Sequence, residues 1–133
     1  MRLKTEIIVA AELKRAQSLG LFAAILHKGD TNAGQIYIVL NKNNSEFMLI
    51  GPPFGTSIDD EGQKIWHFPL GELPISLVEL DEYLNKIRKF DPDIYVLEIE
   101  DKTLEYRPTG ILPPQQNADI LTLKQQAEDL FRS

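Results

Sequence analysis

A hard divalent cation needs several oxygen ligands converging on one point, and three stretches of the 133-residue sequence crowd carboxylates together. Asp59-Asp60-Glu61-Gly62 is the densest. It lacks the alternating ligand positions of a calcium loop and reads as a solvated loop. Glu98 and Glu100 share one face of a strand, as charges on the exposed side of an antiparallel sheet do. Asp91 and Asp93 flank Pro92 just after a helical pattern, and Asp30, close behind an upstream strand, is the residue that would join them. Asp30, Asp91 and Asp93 are therefore the candidate magnesium ligands, with His27 beside them as the proton shuttle of a small metal-assisted hydrolase. Asx turns beside proline account for the same aspartates without a metal.

Other routes to catalysis lack parts. The second histidine, His67, alternates with Trp66 and Phe68 and faces away from whichever core they occupy. None of Ser18, Ser45, Ser57, Ser76 and Ser133 sits in a nucleophile elbow. With no cysteine there is no thiolate nucleophile, disulfide or cysteine-ligated metal. Lys28-Gly29-Asp30 to Gly34 runs into a strand and not into a helix N-terminus, so it is neither a P-loop nor a dinucleotide fingerprint. No catalytic residue and no cofactor is implied. The net charge of −6 and isoelectric point near 4.9 argue against duplex nucleic acid, which needs clustered basic residues. Strand aromatics such as Tyr37, Trp66 and Tyr95 leave single-stranded nucleic acid as a third reading, although core packing accounts for them.

The elements that must position these residues follow from periodicity. The sequence centres on two apolar runs, Ile36 to Leu40 and Phe47 to Ile50, joined by Asn41-Lys42-Asn43-Asn44-Ser45; this reads as a long antiparallel hairpin. Thr5 as N-cap and Gly20 as stop bound a first helix at 6 to 19, with Ile7, Ile8, Ala11, Leu13 and Leu19 turned mostly to one side. Residues 21 to 27 and 64 to 70 read as strands. Ser76, with Glu79 as its capping-box partner, starts a helix at 76 to 90 whose stripe is Leu77, Leu80, Leu84 and Ile87. Strands at 94 to 100 and 104 to 107 follow. Sequential strands suggest a meander. Beyond Pro108 a Pro/Gln-rich linker leads to 118 to 132, where Ile120, Leu123, Ala127 and Leu130 fall on one face of a helix capped by Asn117.

Several of these residues, in this order, resemble a known family. They are Met1-Arg2-Leu3-Lys4-Thr5-Glu6-Ile7, the Gly29-Asp30 turn followed by Ala33-Gly34 and Ile36, the Gly51-Pro52 step, and Phe90-Asp91-Pro92-Asp93 running into Val96 and Glu98-Ile99-Glu100-Asp101. Over about residues 1 to 107 the chain is similar to bacterial domain-of-unknown-function family 1491. The resemblance implies no reaction, cofactor or catalytic residue.

The sequence thus predicts an α+β domain at 1 to 107, a linker at 108 to 117 and an amphipathic helix at 118 to 132. The sheet is expected to be mostly antiparallel, five- to six-stranded and covered by two helices. Hydrophobic content of 43% with 26% charged residues is ordinary for a globular chain. No apolar run approaches the roughly 20 residues of a membrane span. With no secretory pattern at the N-terminus, a cytoplasmic location is expected. The leading functional reading is a non-enzymatic interaction or accessory module. Its stripe Ile120, Leu123, Ala127 and Leu130 would meet either its own domain, a second copy or another protein, since an isolated helix of that length is marginal in water.

Overall fold

The computed structural model of the chain describes residues 3–55 and 57–112. The order is α1 (Thr5–Ser18), β1 (Phe22–His27), β2 (Ile36–Asn41), β3 (Phe47–Ile50), α2 (Leu77–Phe90) and β4 (Tyr95–Glu100). All six residues of β2 are buried. Its unbroken apolar run suits a strand covered on both faces. Ile36, Ile38 and Leu40 pack with Leu97 and Ile99 under Val9 and Ala16 of α1 and beside Trp66, Phe68 and Tyr106. Tyr37 and Val39 pack with Leu49 and Val96 under Leu80 and Leu84 of α2. The sheet therefore lies between a helix on each side.

Topology departs from the expected meander. The four strands run in the order β1-β4-β2-β3, and β4 inserts beside β2 in parallel register, Ile38 opposite Leu97. The hairpin β2–β3 and the pair β1–β4 are antiparallel. A parallel pair needs a crossover of a dozen or more residues, usually helical, and the stretch containing α2 supplies it. Two expected strands are absent among the described residues. At 64 to 70, Trp66 donates its amide to Ile111 O at 2.7 Å and His67 donates to Gly51 O at 2.8 Å. These single bridges run to different neighbours, so no ladder propagates. At 104 to 107, Leu104 takes φ 57, which breaks an extended run. The helix expected at 118 to 132 lies outside the described residues.

Local chemistry explains the helix ends. Ser76 Oγ accepts from Glu79 N at 3.2 Å, the anticipated N-cap. At α1 the capping residue is Lys4, which makes no side-chain cap bond. Thr5 instead donates its hydroxyl to Gly34 O at 2.8 Å, and the amides of Thr5 and Glu6 donate to Asn32 O and Thr31 O. Orphan amides of the first turn are thus satisfied by the 31 to 34 loop. The residues that α1 buries fully are Thr5, Val9, Glu12 and Ala16; of the expected stripe Ile8 and Leu13 pack half-buried against the core, while Ile7, Ala11 and Leu19 remain exposed.

The loop from Gly29 to Gly34 is pressed onto the 93 to 94 turn. Asp30 N donates to Asp93 O at 2.9 Å, and a Cβ at Gly29 would lie 2.1 Å from that same carbonyl oxygen. Only glycine permits the approach. Gly29→Ala is expected to lower stability by about 1–3 kcal/mol, the usual range for overpacking, read as a lower urea midpoint at unchanged m-value.

Candidate functional site

The structure brings the candidate aspartates to adjoining loops but gives their side chains local work. Asp30 Oδ2 accepts from Ala33 N at 2.8 Å, and Asp91 Oδ1 accepts from Asp93 N at 3.1 Å. Both are Asx turns. Among the described residues no group of three or more His, Cys, Asp or Glu is placed to hold a metal ion. His27 Nδ1 bonds Ile94 O at 2.8 Å. A carbonyl only accepts, so Nδ1 carries a proton and donates it. The imidazole lines a shallow hollow of about 400 Å³ with Asn85, Arg88, Lys89 and Pro92. Two cations at that hollow oppose a divalent ion. The dense acidic loop is likewise spent on its own turn, Asp59 Oδ1 accepting from Glu61 N and Gln63 N. Glu98 accepts from Asn41 Nδ2 at 2.8 Å and so braces the β2–β3 turn.

The most concentrated polar site is one that the spacing did not single out. Glu12, on the buried face of α1, accepts from the Tyr106 hydroxyl at Oε2 and from Thr109 N at Oε1, 3.0 Å away. Arg15 Nη1 lies 3.9 Å from Oε2 and donates to Arg107 O. Burial, and then the Glu12 carboxylate, push the Tyr106 hydroxyl well above its ordinary value, so it serves as a neutral donor. Next along the chain, Asp101 accepts from Thr103 N and Oγ1 and from Tyr106 N. Burial alone would raise that carboxyl. The bonds from Thr103, Tyr106 and Glu105 outweigh burial and hold it below the usual carboxylate range. These groups fasten 101 to 109 onto α1. The sequence signal was present only as a carboxylate interrupting the helical stripe Thr5, Val9, Ala16; its partners lie more than ninety residues away.

Among the described residues, a cleft and a sheet edge are left open. One is a cleft of about 860 Å³ between the start of α1 and the 57 to 64 loop, with Leu3, Ile7, Ile8, Ala11 and Ile58 among its lining and Thr109 and Gly110 on its wall. The other is the edge of β1. At the opposite edge, β3 is closed: Phe47 exchanges backbone bonds of 2.9 and 2.8 Å with Ile75, and Gly51 exchanges bonds of 3.0 and 2.8 Å with His67. Among the described residues β1 has no strand partner except β4. Phe22 and Leu26 are 61% and 56% exposed along it. Ile120, Leu123, Ala127 and Leu130 lie outside the described residues.

Comparison with known proteins gives a family without an activity. The model of a family described as "Protein of unknown function (DUF1491)" matches residues 3–107. The chain is similar to the crystal structure of a DUF1491 family protein from Caulobacter crescentus CB15, at 29% identity and TM-score 0.69, over 84% of this chain and 99% of that one. It is also similar to the solution structure of protein Atu0922 from A. tumefaciens, at 32% identity and TM-score 0.64, over 76% and 87% of the two chains. Among curated proteins none matches.

Two outcomes test the polar anchors. Burial lowers the His67 pKa from its ordinary value of about 6.5. The folded state therefore favours the neutral ring, and this contribution is complete above the unfolded value and lost as pH falls below it. Asp101, also lowered, adds stability above about pH 4 that is lost as pH falls through its folded value. Stability should fall on acidification in these two stages, and His67→Gln should remove the first in urea titrations across pH. Glu12→Ala leaves the Tyr106 hydroxyl and Thr109 amide without their acceptor and should cost about 2–4 kcal/mol, with Glu12→Gln costing less in the same measurement.

Proposed function

We propose that the chain, which belongs to the DUF1491 family of proteins of unknown function, is a non-enzymatic protein-interaction module that self-associates or docks a partner. The single observation that carries this reading is the asymmetry of the sheet among the described residues, bridged at Phe47 and Gly51 along the β3 edge and without a partner beyond β4 along β1. An edge strand is a template for another chain, and proteins ordinarily blunt it with lysine, proline, a bulge or a covering loop; β1 has a bulge only at the end of its register, between Ile25 and His27. β1, Phe-Ala-Ala-Ile-Leu-His, contains neither lysine nor proline and no carboxylate. The occupant we assign to it is a second copy. Antiparallel self-pairing centred on Ala24 sets Ala23 opposite Ile25 on the regular part of the strand, which ends at a bulge between Ile25 and His27. The strand has no Lys, Arg, Asp or Glu, so this pairing opposes no like charges from those residues although the whole chain carries −6. A two-fold contact of this kind closes on itself.

Residues 118–132 are the second contact in this proposal, a docking segment whose stripe Ile120, Leu123, Ala127 and Leu130 binds self or another protein. Sedimentation of the full chain is expected to give a mass above the 15.1 kDa of one copy. Leu26→Lys, at an exposed position, should return it to one copy without loss of helix content. A wild-type chain that sediments as a single copy throughout the micromolar range, and recovers no partner, would remove the support for this reading.

A further inference from the structure

We infer that residues 118–132 seat in cis, in the cleft between α1 and the 57 to 64 loop of their own chain. The inference rests on the proposed reading of 118–132 as a docking segment and names the surface that first receives it. The cleft holds about 860 Å³, within the range of roughly 300–1,000 Å³ typical of occupied sites. Its α1 wall presents Leu3 and Ile7, which are 59% and 48% exposed, with Ile8 and Ala11 beside them. Ile8 also packs against the core, so the apolar surface that α1 leaves to the cleft is that of Ile7 and Ala11, with Leu3 just ahead of the helix.

The place where the described chain ends selects the occupant. Thr109 and Gly110 are part of the cleft wall, and Ile111 N donates to Lys64 O at 2.8 Å. A Cβ at Gly110 would lie 2.2 Å from the same Lys64 oxygen, so the chain is held tightly against the 57 to 64 loop as it leaves the fold. Between Leu112 and Ala118 lie five residues, 113 to 117, so six steps of the chain, which reach at most about 22 Å when fully extended. A domain of this size is roughly 30 Å across. The start of the segment is therefore confined to the side of the domain that carries the cleft. From Ile120 to Leu130 the stripe spans ten residues, about 15 Å as a helix, and needs an apolar surface to form at all. A tether this short gives the cleft a local concentration near millimolar. A second copy at micromolar concentration competes poorly with that.

The test compares amide spectra of the uniformly ¹⁵N-labelled full chain with those of Leu123→Asp/Leu130→Asp, both substitutions lying outside the family's matched residues. Expected are shift differences gathered at Ile7, Ile8, Ala11, Ile58 and Gly62, the same at tens and at hundreds of micromolar. Ile7→Glu, at a half-exposed position, should shift the amides of Ile120, Leu123 and Leu130 in return. Differences that grow with protein concentration would place the segment on a second copy and overturn the cis assignment. Spectra that agree at the cleft would overturn it as well. The sedimentation of Leu26→Lys is unaffected by either result, so failure here and failure of the β1 contact are told apart.

Discussion

Burial of β2 on both faces is the constraint from which the rest of the structure follows. A strand whose every residue is inside needs an apolar layer above and another below, and one amphipathic helix can supply only one of them. Val9 and Ala16 of α1 close the side formed by Ile36, Ile38 and Leu40; Leu80 and Leu84 of α2 close the side formed by Tyr37 and Val39. Placing α2 on the face opposite α1 makes the connection from β3 to β4 a crossover. β4 then lands beside β2 in parallel, which pushes β1 to the rim. The open edge at β1 is thus the geometric remainder of covering the centre.

Around that frame, buried polar groups act as fasteners. Glu12 takes a core position on α1 and is tolerated there because the Tyr106 hydroxyl and the Thr109 amide satisfy its two oxygens. Asp101 gathers the turn that delivers Tyr106 to it. Leu104 accepts a left-handed backbone in this turn, and its burial offsets that cost. Together these contacts carry the chain across the α1 side as far as Leu112, beyond the residues that the family model matches. Pro108 is buried, and Ile111 pairs with Ile65. The first residues read from composition as linker are therefore held by the fold, because backbone bonding overrides the local preference of a proline-containing stretch.

The carboxylates illustrate how proximity differs from a site. Asp30, Asp91 and Asp93 are near neighbours in the fold, through a backbone bond from Asp30 to Asp93. The carboxylates of Asp30 and Asp91 each close a turn of their own. Converging ligands must be free of such duties and aimed at one point. Glycine at 29 and 34 brings the two loops together; it does so by letting backbone touch backbone, which leaves the carboxylates outside the contact.

What the sequence determined alone is everything governed by short-range pattern. Leu80, Leu84 and Ile87 of the α2 stripe, its Ser76 cap, the β2–β3 hairpin, the strands near 22 to 27 and 95 to 100 and the stop at Gly20 are all local, while Leu77 of the same stripe stays exposed. Each depends on residues a few positions apart. The family resemblance was equally legible, because it rests on ordered motifs. Only the tertiary structure decided the parallel placement of β4, the single bridges where strands were expected at 64 to 70, and the face that α1 buries. It also decided the partners of Glu12 and the contrast between the β3 and β1 edges. The physical reason is common to all five. Which strand lies beside which, and which carboxylate finds a hydroxyl, depends on contacts between residues far apart in sequence, and periodicity carries no record of its long-range partner.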